Sequence, residues 1–486
     1  MNAQDEKSDY PVANFEEPAG RQRALRRLLW KQDLLLMPLL TVTLGLQYYD
    51  KAALGSAAAF GILKDLQLQH NGTTTRYATA TACFYYGYIV AVLPGALLFA
   101  RLNLRYAAGT VITLWGLVAI LTVVVTDYKG LYVQRVFLGL LESAVSPCFV
   151  AITALWYKPQ EQAKRMGIWY SATGIFSMFN GLINFALGSS GDAHAWKYIY
   201  YFCGAVTMAW GLVVMALLPP SPLQPGPFFN ETERALLRRR FEENPFARDR
   251  QPLKWSQARE ALLDIKTWLY LLVGALVYLC NGAVTAFGTL IIKSLGYSGL
   301  QSVALTIPGG AVTCVTIYIF TALADRFRDS RTWLFPISCI PVVVGAIVIW
   351  TAPWHPTAGP LIGYYLVASF GAPYVLLLAL ASANTAGSTK KAVTNGAIFV
   401  GYNAGNIAAS YTVKTQEAPQ KYKSTWITVI VAMAAASILM LVLRFLIKRQ
   451  KDANDAEELS DDDVVMKVEE YQDLTDRQIR GFKYSL

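Results

Sequence analysis

The run RVFLGLLE (135–142) sits inside an apolar stretch, about residues 131–156, that is long enough to cross a bilayer. It nevertheless carries a cation and an anion, which are costly in hydrocarbon. Arg135, Gly139 and Glu142 stand at i, i+4 and i+7, so they share one helical face. Seven residues advance a helix by about 10 Å, which puts the two charges at different depths. A lone anchor has no use for such a face. A pore, a carrier or a proton relay does.

The rest of the chain agrees with a membrane setting. Of 486 residues, 54% are hydrophobic and only 16% charged. Several further apolar runs are long enough to span, and a soluble protein carries shorter runs and more charge. Twelve spans are expected, near 34–56, 78–99, 108–126, 131–156, 166–188, 197–218, 268–292, 300–323, 333–351, 359–382, 392–412 and 425–447. Between the sixth and seventh lies a long polar break. Its Pro-rich piece PPSPLQPGP (219–227) cannot be a span interior, and ETERALLRRRFEEN (231–244) reads as a surface helix. The expected organisation is an N-tail (1–33), a six-helix bundle (34–218), a linker (219–267), a second six-helix bundle (268–447) and a C-tail (448–486).

Lys and Arg set the orientation. With both tails and the linker cytoplasmic, the inside segments hold 32 of the 43 basic residues and the outside loops 8. The tails and linker carry most of that bias. The net charge of +10 therefore belongs to span ends, and no nucleic-acid partner is expected. Residues 1–33 lack a cleavable signal pattern, so the first span serves as the insertion signal. Asn71, in the sequon Asn71-Gly72-Thr73, falls in an outside loop and is a glycosylation candidate. Asn230-Glu231-Thr232 falls in the cytoplasmic linker and is expected to stay unused. The acidic C-tail reads as solvated and disordered. All six cysteines lie in apolar runs, which fits reduced, packed thiols and neither a disulfide set nor a metal site.

Charges inside the spans are few: Asp50 and Lys51 in the first, Arg135 and Glu142 in the fourth, and Arg444 near the cytoplasmic end of the twelfth, where it can snorkel. Counting along the helices puts Asp50 and Arg135 at similar heights, with Glu142 about 10 Å deeper. If these two spans face a common cavity, Asp50 can pair with Arg135, and Lys51 with Glu142. A buried carboxylate prefers a proton unless a cation stands beside it. An anionic substrate that takes the cation leaves the carboxylate to be protonated, and the two then move together. The second bundle offers neutral groups, Asn281 in the seventh span and Asn403 and Asn406 in the eleventh. Tyr48 and Tyr88 are further wall candidates. Asp325 and Arg326, in TALADRFRDSR (321–331) at the end of the eighth span, read as a gating pair.

LADRFRDSR (323–331), with a weaker Gly95, Arg101, Arg105 pattern after the second span, resembles the paired loop motif of the major facilitator superfamily. The first copy has Phe99-Ala100 where the acidic residue usually stands. A narrower resemblance covers nearly the whole chain. LQYYDK (46–51), RVFLGLLESAVSPCF (135–149), WYKPQEQAKRMGIWYSATG (156–174), NTAGSTKKAVTNGA (384–397), APQKY (418–422) and DLTDRQIRGFKYSL (473–486) together resemble the fungal allantoate permease family of anion:cation symporters. The resemblance implies an all-α membrane protein with twelve helices in two bundles, working by alternating access. It also implies import of organic anions such as allantoate, nicotinate or pantothenate with protons, no cofactor and no enzymatic activity. Related bacterial sugar-acid symporters use an acid–base pair in the first span and an Arg/Glu pair seven apart in the fourth. Asp50-Lys51 and Arg135/Glu142 match that pattern, with Lys51 where the bacterial relatives often have arginine.

The expected protein is thus a monomeric plasma-membrane symporter. Asp50 and Glu142 are its proton sites, and Lys51 and Arg135 bind the anion or poise those carboxylates. Asn281 and Asn403 complete the site from the other bundle. An exporter working by proton antiport would use the same charges. A non-transporting nutrient receptor would need a longer structured tail.

Overall fold

The computed structural model describes residues 18–143, 145–157, 159–192, 194–242, 254–327, 329–455, 474–479 and 482–486. Twelve helical segments make up the bundle among these residues. The first span is one long helix, Pro18–Ala59, and the second is Thr75–Arg101. The third is Leu104–Leu121. The fourth is split into Tyr128–Glu142 and Val145–Trp156, and the fifth into Pro159–Tyr170 and Ala172–Gly188. The sixth is Ala195–Leu217. The seventh runs Ile265–Tyr278 and resumes at Gly288–Ser294, and the eighth is Gly299–Ala304 with Ile307–Arg326. The ninth is Arg331–Thr351, and the tenth Ala358–Val367 with Gly371–Ala383. The eleventh is Ser388–Thr412 and the twelfth Lys423–Asp455.

Seven of these segments (the third, sixth to tenth and twelfth) are long and apolar enough to cross a membrane on composition alone. The other five are broken or carry polar residues.

The first span packs against the fifth and sixth, the second against the fourth, and the third against the sixth. The seventh packs against the eleventh and twelfth, and the ninth against the tenth and twelfth. The two groups meet where the second span lies on the eleventh and the fifth on the eighth. Small residues allow this approach. A methyl group on Gly174 would lie 3.0 Å from the Gly310 carbonyl oxygen across the fifth–eighth contact. A methyl on Gly139 would collide with the Phe84 carbonyl oxygen, so the fourth span can touch the second only because residue 139 is glycine. That contact fixes the height of Glu142, one turn further on.

The seventh span departs from regular helix at Gly282–Ala286, where the turn widens. A methyl on Gly282 would meet the Ala409 carbonyl of the eleventh span. The Asn281-Gly282 pair thus marks both a loosened turn and a close packing point.

In the linker, Glu231–Glu242 is a helix that buries Leu237, as expected for a surface helix with one apolar face. Asn230 caps it: its side-chain oxygen accepts from the Glu233 amide at 2.9 Å, and Glu233 accepts from the Asn230 amide at 3.0 Å. Ion pairs tie this helix to the bundle, Lys31–Glu233 at 2.7 Å and Arg240–Glu161 at 2.6 Å. Arg165 grips Asp33 through two hydrogen bonds of 2.9 Å, joining the fifth span to the first.

The C-tail departs from the expectation of a solvated segment. Residues 456–473, which hold most of the acidic run, lie outside the described residues, but 474–479 and 482–486 are packed into the bundle. Asp476 is 1% exposed and sits between Lys390 at 2.6 Å and Lys266 at 3.2 Å. The Tyr484 hydroxyl donates to the same carboxylate at 3.1 Å, and the Lys266 ammonium lies over the Tyr484 ring. Ser485 exchanges hydrogen bonds with the Asn384 amide at 2.8 Å each way, and the Leu486 amide donates to Asp329 at 3.0 Å. The average composition of the tail hides these few residues. Two lysines buried at span ends need counter-ions, and Asp476 supplies one.

Candidate functional site

Successive residues on a helix point about 100° apart, so Asp50 and Lys51 face different neighbours. Lys51 faces the space between the bundles. Its ammonium lies 3.2 Å from Glu142 of the fourth span, over the rings of Phe84 at 5.2 Å and Tyr88 at 5.8 Å. Lys51 is partly open, whereas Glu142 is fully buried. The pair is the sequence-expected second couple.

Asp50 faces the inside of the first bundle. It does not form the expected ion pair with Arg135. Its Oδ1 accepts from the Cys203 thiol of the sixth span, and its Oδ2 finds no partner among the described residues. Arg135 instead donates to the Tyr200 hydroxyl at 2.8 Å, and its Nε is unpartnered among the described residues. The two charges are neighbours, but the sixth span supplies each with a neutral partner. Counting heights along two helices could not show that a third helix stands beside both charges.

Between the bundles lies a cavity of about 70 Å³. The first bundle lines it with Gln47, Tyr48, Lys51, Tyr88, Ser146 and Tyr170, the second with Tyr278, Asn281, Thr285, Tyr374, Phe399 and Tyr402, among others. Ligand pockets commonly hold roughly 300–1,000 Å³, so this cavity is nearly closed. On one side, toward the loops at residues 60–74 and 413–422, the bundles are sealed. Thr289 donates to the Gly55 carbonyl, Tyr77 to the Ala286 carbonyl at 2.5 Å, and Thr74 and Thr415 share a bond of 3.0 Å. On the other side the Tyr170 and Tyr278 hydroxyls meet across the bundles at 2.9 Å.

The remaining sequence candidates fall out as follows. Tyr48 shares a 3.3 Å bond with Thr285, and the two separate the central cavity from a smaller polar one. Tyr88 lines the cavity and reaches Ser146 at 3.4 Å. Asn281 lines it too, donating to Asn406 at 2.6 Å and accepting from Thr285 at 2.5 Å. Asn406 lies behind Asn281 and holds it in place. Asn403 is a correction: it is fully buried away from the cavity and donates to the Phe399 carbonyl of its own helix at 2.7 Å. Arg135 and Asp50 are likewise set back from the cavity wall. Asp325 and Arg326 are exposed and form no ion pair with each other. The ion pair at that end is Asp329–Lys451 at 2.6 Å, because the chain turns at Asp329 and brings its carboxylate to the twelfth span. Asn71 is exposed in a turn on the sealed side. All six cysteines are free thiols.

Sequence reading missed Tyr170, Tyr278, Tyr374 and Tyr402. Tyr278 packs its ring on Tyr374 at 4.6 Å and on Tyr402 at 4.2 Å, and Tyr170 lies 6.0 Å from Tyr374. In a chain with 27 tyrosines no single one stands out. Cys203 and Tyr200 were also missed, although their spacing of one helical turn was visible.

A twelve-helix, two-bundle membrane protein with a nearly closed cavity at the bundle interface and a buried ion pair on its wall is a transporter by architecture. Comparison with known proteins gives the same class. The family model described as Major Facilitator Superfamily matches residues 40–410, and the chain belongs to that superfamily. It is therefore a transporter and not an enzyme. An uncharacterized transporter of Schizosaccharomyces pombe is 32% identical over 467 residues, covering 94% of this chain and 87% of that protein. The allantoate permease of Saccharomyces cerevisiae is 28% identical, covering 95% and 86%. The thiamine pathway transporter of the same yeast is 28% identical, covering 97% and 88%. The chain thus falls among the fungal permeases of the superfamily. Among solved structures, a proton:xylose symporter superposes with a TM-score of 0.65 at 14% identity, covering 83% of this chain and 94% of that one, which shows the shared fold.

Proposed function

We propose that this protein is a proton-coupled symporter that imports a small organic carboxylate by alternating access. One observation carries the reading: the Lys51 ammonium on the cavity wall is paired at 3.2 Å with a fully buried Glu142. An anionic substrate entering the cavity competes for that ammonium. Glu142, left in a low-dielectric setting without its partner, takes up a proton. Charge then crosses the membrane as a balanced set.

In this reading Asp50 is a second proton site and Arg135 poises it from within the first bundle. Tyr48, Tyr88 and Asn281 bound the substrate, with Asn406 holding Asn281. The two bundles rock about the cavity. The tails and linker lie in the cytoplasm, the chain works as a monomer in the plasma membrane, and Asn71 is glycosylated outside. The similarity to a permease named for allantoate supports a carboxylate cargo.

The test is uptake of labelled allantoate, nicotinate and pantothenate at about pH 5 and about pH 7.5, conditions that differ in the proton gradient across the membrane. Cells carry the wild type or Glu142→Gln. Acid-stimulated accumulation that the variant loses supports the reading. No accumulation of any acid by wild type at the cell surface overturns it, and proton-driven efflux from preloaded cells would assign export instead.

A further inference from the structure

The charged groups of the first bundle are not arranged as a simple ion-pair ladder. Asp50 and Arg135 are each 2% exposed and lie behind the cavity wall. The groups around Asp50 are countable. Its own helix brings Tyr49 and Lys51, the fourth span Arg135 and Glu142, the third span the Trp115 indole, and the sixth span Tyr200 and Cys203. The Tyr49 hydroxyl is turned away, donating to Asn184 at 2.5 Å. Lys51 is engaged with Glu142. Arg135 is engaged with Tyr200. That leaves Cys203, which donates to Asp50 Oδ1, and the Trp115 indole, which stands beside the carboxyl group although neither its Nε1 nor Asp50 Oδ2 completes a hydrogen bond among the described residues.

An aspartate in direct contact with a guanidinium stays ionised across the physiological range. Such a residue cannot carry a proton. Here Tyr200 and Cys203, one turn apart on the sixth span, give the two charges neutral partners: Tyr200 accepts from Arg135, and Cys203 donates to Asp50. A thiol is a weak donor and a weak acceptor. It donates to the carboxylate Oδ1, and that bond weakens once the carboxyl group is protonated, because the oxygen of a neutral carboxyl group is a poorer acceptor. The unpartnered Oδ2 leaves a lone pair free for the incoming proton.

We propose that Cys203, together with Tyr200, is a positioning residue of the proton site, giving Asp50 a neutral hydrogen-bond partner in place of Arg135 and reporting its protonation through the thiol hydrogen bond. This rests on the reading above that Asp50 takes part in proton coupling. The sixth span thereby has a role in coupling without touching the substrate cavity.

The first test needs no substrate. The S–H stretching band of Cys203 is isolated in the full-length protein in lipid nanodiscs as the infrared difference between wild type and Cys203→Ala. Across about pH 4 to 9, which brackets a carboxyl group's range in proteins, the band is expected to shift in one transition that is absent in Asp50→Asn. A band that stays fixed with pH, or a transition that survives in Asp50→Asn, overturns the proposal.

The second test follows the carboxylate of the panel above that wild type accumulates. Cys203→Ala and Tyr200→Phe are expected to move the pH of half-maximal uptake by about one unit, a tenfold change in proton concentration. The substrate KM at saturating acidity stays within twofold, and Cys203→Ser restores the wild-type profile. An unmoved pH profile in both variants with normal surface expression overturns the proposal. If wild type accumulates none of the acids, the symport reading fails on its own, and the S–H titration still decides whether Cys203 senses Asp50.

Discussion

The Lys51 ammonium lies 3.2 Å from the Glu142 carboxylate, with one partner on the cavity wall and the other wholly buried. Each charge makes the other tolerable in the membrane interior. Removing one side of a buried pair leaves an uncompensated charge, at a cost of about 3–5 kcal/mol.

Glu142→Gln is therefore expected to lower the thermal stability of the purified protein as well as to abolish acid-stimulated uptake. Lys51→Met combined with Glu142→Gln should recover most of the stability, because neither charge is then left alone, while uptake stays lost. Thermal unfolding of the wild type, Lys51→Met, Glu142→Gln and the double variant in detergent gives the coupling directly. Additive losses in the double variant would show that the pair contributes no mutual stabilisation.

The Tyr170–Tyr278 contact at 2.9 Å is a hydrogen bond between the two bundles. Its loss in Tyr170→Phe is worth about 0.5–1.5 kcal/mol, or roughly two- to thirteen-fold in the balance between the closed and the parted arrangement. A cysteine placed at Ser146, on the cavity wall, should then react faster with a water-soluble maleimide in the Tyr170→Phe background. An unchanged labelling rate would remove this contact as a gate.

Gly139 touches the second span with no room for a side chain. Gly139→Val is expected to push the fourth span away from Phe84 and to destabilise the fold by about 1–3 kcal/mol, the usual cost of overpacking. It should also displace Glu142 from Lys51, so uptake falls more than surface expression does. Fluorescence-detected gel filtration after a heat challenge, alongside uptake, separates the two effects.

Asp476 fastens the C-terminal segment. Burial alone would favour its protonated form, but Lys266 and Lys390 outweigh burial and hold its carboxyl group below the ordinary aspartate value. The contribution of this contact is thus fully present above the unfolded pKa of about 3.9 and is lost as pH falls through and below it. Amide exchange of residues 474–486 should accelerate at about pH 3 relative to pH 6, after correction for intrinsic rates. Asp476→Asn should show the fast exchange at both. Slow exchange in that variant at pH 6 would mean that Tyr484, Ser485 and Leu486 hold the segment without the ion pairs.

Apolar runs and the polar break between them were enough to show a twelve-span membrane protein split six and six, and to single out Asp50, Lys51, Arg135 and Glu142 as charges set well inside the spans. Hydrocarbon leaves little freedom in these matters. A run of apolar residues must become a helix, and an ionisable residue within it is rare enough to be conspicuous. The Lys51–Glu142 couple was legible for the same reason. The remaining features emerge only once the helices are assembled. The third and sixth spans stand around Asp50, so its partner is a thiol and not Arg135. Asn403 turns from the cavity while Asn281 faces it. Asp329, not Asp325, reaches the twelfth span. A C-tail with the composition of a disordered segment ends in a docked one, because two buried lysines from distant spans meet at Asp476. Each of these depends on which way a side chain points once several helices are assembled, and helical periodicity within one span does not contain that information.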